Sequence, residues 1–206
     1  MNTSIFDSSL LSETSGTRDK LVEAGREAFF QKGYLRSSLR QICASCDLTT
    51  GAFYFIFKSK DELFSCILDP VVEAWRKLLE SLNDEEKSGT LTVFDADRKI
   101  LSFLLSHRKE VLILVENSDG SPLESFRSDM LSGIMRLYRS FFVRDLGNTP
   151  KDTVIRLIIE PRLRMAVSLL REEREEEETE FLISAMAEYA EGGYNKLVEA
   201  LKRSIA

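Results

Sequence analysis

Between Leu39 and Phe57 lie two apolar-periodic segments, each only about two turns long, separated by the three residues Asp47, Leu48 and Thr49. Isolated helices shorter than about 12–15 residues are marginal in water, so neither segment can stand alone. They must fold against a longer partner. Leu21, Val22, Gly25, Ala28 and Phe29 supply it, repeating at helical spacing, with Gly33 following as a stop; this predicts a first helix over 17–32. Leu39, Ile42, Cys43 and Cys46 form the inward row of a second helix, for which Ser38 and Gln41 read as a capping box. Thr49 reads as the N-cap of a third, with Phe53 and Phe57 four apart on its buried side. Ser59 and Glu62 read as a second capping box, opening a fourth helix.

A short helix, a three-residue turn and another short helix is helix-turn-helix spacing, in which the second helix enters a DNA major groove. Charge agrees locally although the whole chain is acidic, at −6 over 206 residues. Residues 17–60 hold Arg18, Lys20, Arg26, Lys32, Arg36, Arg40, Lys58 and Lys60 against Asp19, Glu23, Glu27 and Asp47, a local excess of positive charge.

Downstream, apolar periodicity at helical spacing continues. Helices are expected from Lys60 to about Leu82 with a kink or restart at Pro70, over 91–105 and over 107–116, with "NDEEKSGT" as a loop. Ser121, Pro122 and Glu124 are expected to open a helix running to Asp145, and Thr149 with Pro150 to open the next, which Pro161 interrupts. The last two helices are placed at about 150–173 and 179–204. No alternation of the strand kind is sustained anywhere, so the fold class is all-α, with about nine helices. The organisation read from this is a flexible arm over 1–16, a DNA-binding domain over 17–60 and a larger helical domain over 61–206.

The stretches "LVEAGREAFFQKGY", "SSLRQICASCDLTTGAFYFIF" and "KSKDELF", between Arg18 and Phe64, resemble the DNA-binding domain of the tetracycline-repressor (TetR) family of bacterial regulators. The resemblance implies a homodimeric transcriptional regulator, a repressor on a near-palindromic double-stranded operator, released when a small-molecule effector enters its C-terminal domain. Residue by residue it implies that Ser38 and Arg40 touch phosphate and base. Thr50, Gly51 and Ala52 would start the groove-facing helix, and Tyr54 and Lys60 would hold phosphates. Thr49, Phe55 and Lys58 complete the set taken as DNA-facing. The residue chemistry agrees: Tyr54 offers a hydroxyl, Gly51 and Ala52 allow close backbone approach, and Arg40 suits bidentate contact with guanine. Phe55 and Ile56 depart from the family, which usually places a polar residue there. They can meet thymine methyls but donate nothing to a base, and either could instead pack on the fourth helix. They keep open a second reading, a helical dimer that binds a small molecule or protein and has weakened sequence-specific DNA binding.

Other features favour plain structural roles. Cys43 and Cys46 make a C-x-x-C with no second pair or nearby histidine, and Cys66 is a third, so metal ligation and a disulfide framework are not expected. His107, the single histidine, either caps a helix or lines an effector pocket; Trp75, Phe103, Phe126 and Tyr138 are the other pocket candidates. The run "REEREEEETE" reads as a solvated helix end. The two C-terminal helices carry apolar residues in excess, Val154, Ile155, Leu157, Ile158, Leu169 and Leu170 on one and Phe181, Leu182, Met186, Tyr189, Leu197 and Leu201 on the other; some must pack inward, and the excess suggests a four-helix homodimer interface. No nucleophile motif, metal cluster or phosphate loop accompanies these, so no enzyme activity and no cofactor are expected. The N-terminus has neither a basic start nor a long apolar run, and "VLILV" is too short for a membrane span, so the expectation is a cytoplasmic protein.

Overall fold

The computed structural model describes the backbone of residues 5–205 and the side chains of residues 16–204. Among them are nine helices and no strand: α1 (Ile5–Arg36), α2 (Leu39–Ser45), α3 (Thr50–Ile56), α4 (Lys60–Lys87), α5 (Val93–Ser106), α6 (Arg108–Glu116), α7 (Phe126–Leu146), α8 (Asp152–Leu170) and α9 (Glu176–Ile205). They form two compact units, Met1–Val71 with Lys109–Phe126, and Val72–Arg108 with Arg127–Ala206.

In the first unit, Leu21, Phe29, Ile42, Phe53, Leu63 and Phe64 are essentially without exposure and form the core under α1 to α4. Gly25 is on the apolar row of α1 because α4 comes close there: a Cβ would lie 2.8 Å from Leu63 Cδ2. Gly33 does stop the regular helix, at φ 76° and ψ 165°. The α1 peptide groups around this break are held by Asn117 beyond α6: its carbonyl accepts from Tyr34 N–H at 2.8 Å and its Nδ2 donates to Phe30 O at 3.0 Å.

In the second unit α5 packs along α9, and Tyr138, Phe141, Phe142 and Tyr194 interlock, with ring centroids 5.0–6.2 Å apart. Tyr194 donates to Asp145 Oδ2 at 2.8 Å, and Arg144 pairs with Asp145 at 3.0 Å.

Several boundaries differ from the sequence expectation. The backbone is helical from Ile5, where an irregular arm over 1–16 was expected; residues 1–4 of that arm lie outside the described residues. No proline interrupts 5–16, and extending an existing helix fixes one residue per added bond, without a new nucleus. α4 runs on through Lys87, five residues into the expected loop, with Asn83 Nδ2 donating to Leu79 O and Lys87 paired to Asp84. Neither Pro70 nor Pro161 interrupts its helix; each removes one backbone bond only, and Pro161 stands on an exposed side of α8. Residues 121–125 are turns, and α7 starts at Phe126. Here the expected capping residues satisfy a local turn instead: Ser121 Oγ accepts from Leu123 N–H, and the Glu124 carboxylate from Gly120 N–H. Thr149 and Pro150 precede α8, whose N-cap is Lys151 and whose first-turn Asp152 is held by Arg139 at 2.7 Å.

Candidate nucleic-acid interface

The turn between α2 and α3 is built as its residue types dictate. Asp47 has φ 57°, one of the few non-glycine types that tolerate this, and Leu48 N–H returns to Cys43 O at 2.9 Å. Thr49 Oγ1 accepts from Ala52 N–H at 3.1 Å and caps α3. Phe53 and Phe57 are buried and fasten α3 from below.

This anchoring leaves one continuous face of α3 outward. Thr50, Gly51, Tyr54 and Phe55 are exposed, Tyr54 at 60% and Phe55 at 82%, while Ala52 and Ile56 are half-buried. The question left open by the sequence is thus divided: Phe55 projects and Ile56 packs. Ser38, Arg40 and Lys58 are exposed as well.

Two expected capping devices are altered. Ser38 occupies the N-cap of α2 but its hydroxyl makes no capping bond, and Gln41 Oε1 accepts from Lys32 Nζ at 3.2 Å. At α4, Ser59 Oγ accepts from Glu62 N–H at 3.1 Å, but Glu62 reaches one residue further back, to Lys58 N–H at 2.6 Å.

Lys60 is the largest departure. Its ammonium donates to Tyr34 O at 2.8 Å and Ser37 O at 3.3 Å and lies 4.0 Å from the centre of the Tyr34 ring. It adds a donor at the C-terminal end of α1, where Tyr34 O also accepts from Ser37 N–H, so two of its three N–H groups are spent inside the protein. Burial lowers its pKa against the opposing pull of Asp61. Tyr34 in turn donates to Asp61, and burial together with that bond pushes the phenol up to about 12. Tyr34, Asp61 and Asn117 were not singled out from sequence; the position of Tyr34 directly after Gly33 was the available signal.

The expected pocket residues are not gathered. Trp75 lies tilted against Phe103, ring centroids 5.5 Å apart, and Phe103 stacks on His107 at 4.4 Å. His107 is the C-cap of α5, its Nδ1 3.0 Å from Phe103 O, which is the capping alternative. Phe126 belongs to the first unit. Tyr138 lines a cavity of about 40 Å³ formed by α5, α7, α8 and α9, whose walls include Asp97, Ile134, Arg162 and Met186 but not the other four candidates. Tyr138 donates to Asp97 Oδ1 at 2.9 Å, Arg162 pairs with Asp97 Oδ2, and the guanidinium carbon is 5.1 Å from the Tyr138 ring centre. Sequence spacing could not bring these together, although an aspartate and an arginine on otherwise apolar helix faces were the visible signal.

Cys43 is buried and Cys46 half-buried, its thiol directed at the Ile42 and Cys43 carbonyls; burial raises both thiol pKa values. Among the described residues no group of three or more potential ligands could hold a metal, and no helix is long and apolar enough to cross a membrane.

A family model described as "Bacterial regulatory proteins, tetR family" matches residues 21–67, which contain α2, the turn and α3. The transcriptional regulator TtgR of Pseudomonas putida is 28% identical over 111 residues, covering 48% of this chain and 53% of that protein. The regulator UidR of Escherichia coli is 36% identical over 56 residues, 27% of this chain and 29% of that one. The chain thus matches about half the length, or less, of these curated relatives. Among solved structures, SCO3833 of Streptomyces coelicolor, a TetR-family member, shares the fold at TM-score 0.65 and 18% identity, over 84% of this chain and 90% of that one. A transcriptional regulator from Aquifex aeolicus shares it at TM-score 0.55 and 23% identity, over 88% and 99%. Residues 21–67 thus match the DNA-binding region of the TetR family of bacterial regulatory proteins, and the helical fold that carries them is one shared with solved structures of that family.

Proposed function

We propose that the protein is a ligand-responsive repressor that binds a near-palindromic operator as a homodimer and leaves it when a small molecule enters the second unit. The observation that carries this reading is the outward face of α3. Its inner row is locked by Phe53 and Phe57, and Thr50, Gly51, Tyr54 and Phe55 face solvent with nothing of the described chain laid over them. Tyr54 and Lys58 suit the phosphate backbone, Arg40 suits a guanine edge, and Phe55 suits a thymine methyl. Positioning therefore comes from the backbone, and sequence choice from few direct contacts assisted by DNA shape.

A two-turn helix reads only a few base pairs, so useful specificity asks for two copies related by a dyad. The outer faces of α8 and α9 support that arrangement. Leu157 is 74% exposed and Phe181 70% exposed, with Met165 and Tyr189 also open. Val154, Leu157, Ile158, Pro161 and Met165 fall on one stripe of α8 by their spacing, as Phe181, Ala185 and Tyr189 do on α9.

α4 contributes residues to both units, which divide at Val71 and Val72, next to Pro70. The missing Pro70 N–H leaves a weak point in the helix at that division, suited to passing a ligand-induced shift to the DNA-binding unit.

Sedimentation of the full chain combined with hydroxyl-radical footprinting of the DNA upstream of its own gene tests the reading. A dimer protecting two patches about 10 base pairs apart is expected. A dimer that protects nothing would favour the alternative, a helical dimer without sequence-specific DNA binding.

A further inference from the structure

The cavity of the second unit is small, about 40 Å³, and its walls are apolar apart from Asp97, Tyr138 and Arg162. Those three are unequally satisfied. Both Asp97 oxygens are taken, Oδ1 by the Tyr138 hydroxyl and Oδ2 by Arg162 Nη2. Tyr138 has spent its one hydrogen on Asp97. Arg162 Nη1, however, is fully buried and has no acceptor among the described residues. A guanidinium N–H pair shut away from solvent without an acceptor is costly, and few native structures retain one without a purpose.

Building on the ligand-responsive reading above, we propose that the effector is an apolar molecule bearing one uncharged hydrogen-bond acceptor, a carbonyl or amide oxygen, that takes the N–H groups of Arg162 Nη1. Charge decides against the other classes. Asp97 already balances Arg162, so a carboxylate ligand would bring a second negative charge beside Asp97 in apolar surroundings, with no cation left to compensate it. An ammonium would face Arg162 and find both Asp97 oxygens engaged. A pure hydrocarbon would fill the space and leave Nη1 unpaired. A neutral acceptor satisfies the donor without adding charge.

The present volume is about that of a few water molecules, so the site must widen on binding. Leu163 and Met186, both only half-buried, are the walls able to move, and the unbranched Met186 adapts most readily.

The test uses the full chain with four nearly isosteric probes: acetophenone, ethylbenzene, benzoate and benzylammonium. Thermal midpoint and the fluorescence of Trp75, the single tryptophan, buried in the same unit, are the readouts. Acetophenone is expected to bind about tenfold more tightly than ethylbenzene, the order of one hydrogen bond to a charged donor, with benzoate and benzylammonium weaker still. Arg162→Lys keeps a cation for Asp97 but has no second nitrogen, and should bring the affinity ratio of acetophenone to ethylbenzene down from about ten to about one. If that variant does not fold, the ranking of the four probes on the unaltered chain decides alone. Benzoate binding more tightly than acetophenone, or ethylbenzene matching it, overturns the inference and leaves ligand response standing. Binding of none of the four removes the effector cavity, and with it both readings.

Discussion

Phe55 is the residue at which structure and DNA recognition can be separated most cleanly. At 82% exposure its ring hides only about a fifth of its area within the chain. For an aromatic side chain of about 200 Å² that is about 40 Å², worth no more than about 1 kcal/mol of folding stability at 25 cal/mol per Å². Phe55→Ala should therefore shift the urea midpoint of the isolated protein only slightly. On DNA the same ring can cover a thymine methyl, and losing one good base contact costs about 1–3 kcal/mol, or about fivefold or more in affinity. The assay pairs urea unfolding with fluorescence anisotropy on a DNA fragment selected by the protein from a random pool. Replacing each thymine in turn by deoxyuridine removes the methyl alone. At the position Phe55 reads, deoxyuridine should weaken binding of the unaltered protein and leave Phe55→Ala indifferent, a non-additivity that marks direct contact. Destabilisation by several kcal/mol, as for a core phenylalanine, would refute the exposed placement. Unchanged DNA affinity would refute the role.

Phe53→Ala, by contrast, empties a fully buried site and should cost about 3–5 kcal/mol, seen as a large loss of urea midpoint together with DNA binding. Lys60→Met removes the ammonium from the Tyr34 and Ser37 carbonyls and should destabilise by about 1–3 kcal/mol while barely changing the salt slope of DNA binding. Lys58→Ala should do the reverse, lowering that slope by about one per protomer with little effect on stability. The Asp145 carboxyl is raised by burial but pulled down further by hydrogen bonds from Arg144 and Tyr194, leaving its pKa below the ordinary value. Its contribution is therefore present at neutral pH and lost as pH falls through the acid range, and Tyr194→Phe should flatten the acid limb of a stability–pH curve. Pro70→Ala restores a helical bond in α4 and should raise the thermal midpoint while weakening effector-driven release from DNA.

What the sequence made legible was local. The Thr49 cap, the Asp47 turn, the Gly33 stop and the Phe53–Phe57 pair each depend on neighbours within four residues, and each stands where it was expected. Capping signatures failed where another local bond competed, as at Ser121 and Glu124, or where a remote residue claimed the side chain, as Lys32 claims Gln41. Lys60 was expected on phosphate because a cation at a helix start is ambiguous until α1 is folded beside it. The Asp97, Tyr138 and Arg162 cluster stayed hidden because its members come from α5, α7 and α8, and Tyr138 and Asp97 are 41 residues apart. Of the five aromatic and histidine candidates for the pocket, the four that missed the cavity are absorbed by core packing or capping, which composition alone cannot distinguish from a cavity wall.

Equilibrium binding of the full chain to the DNA upstream of its own gene, against a shuffled fragment of equal composition, from low to physiological salt, tests the central claim most directly. The account predicts affinity that falls steeply with salt on both fragments and a preference for the native one of at least about a thousandfold at physiological salt. Equal affinity for the two fragments, or binding indifferent to salt, would contradict it.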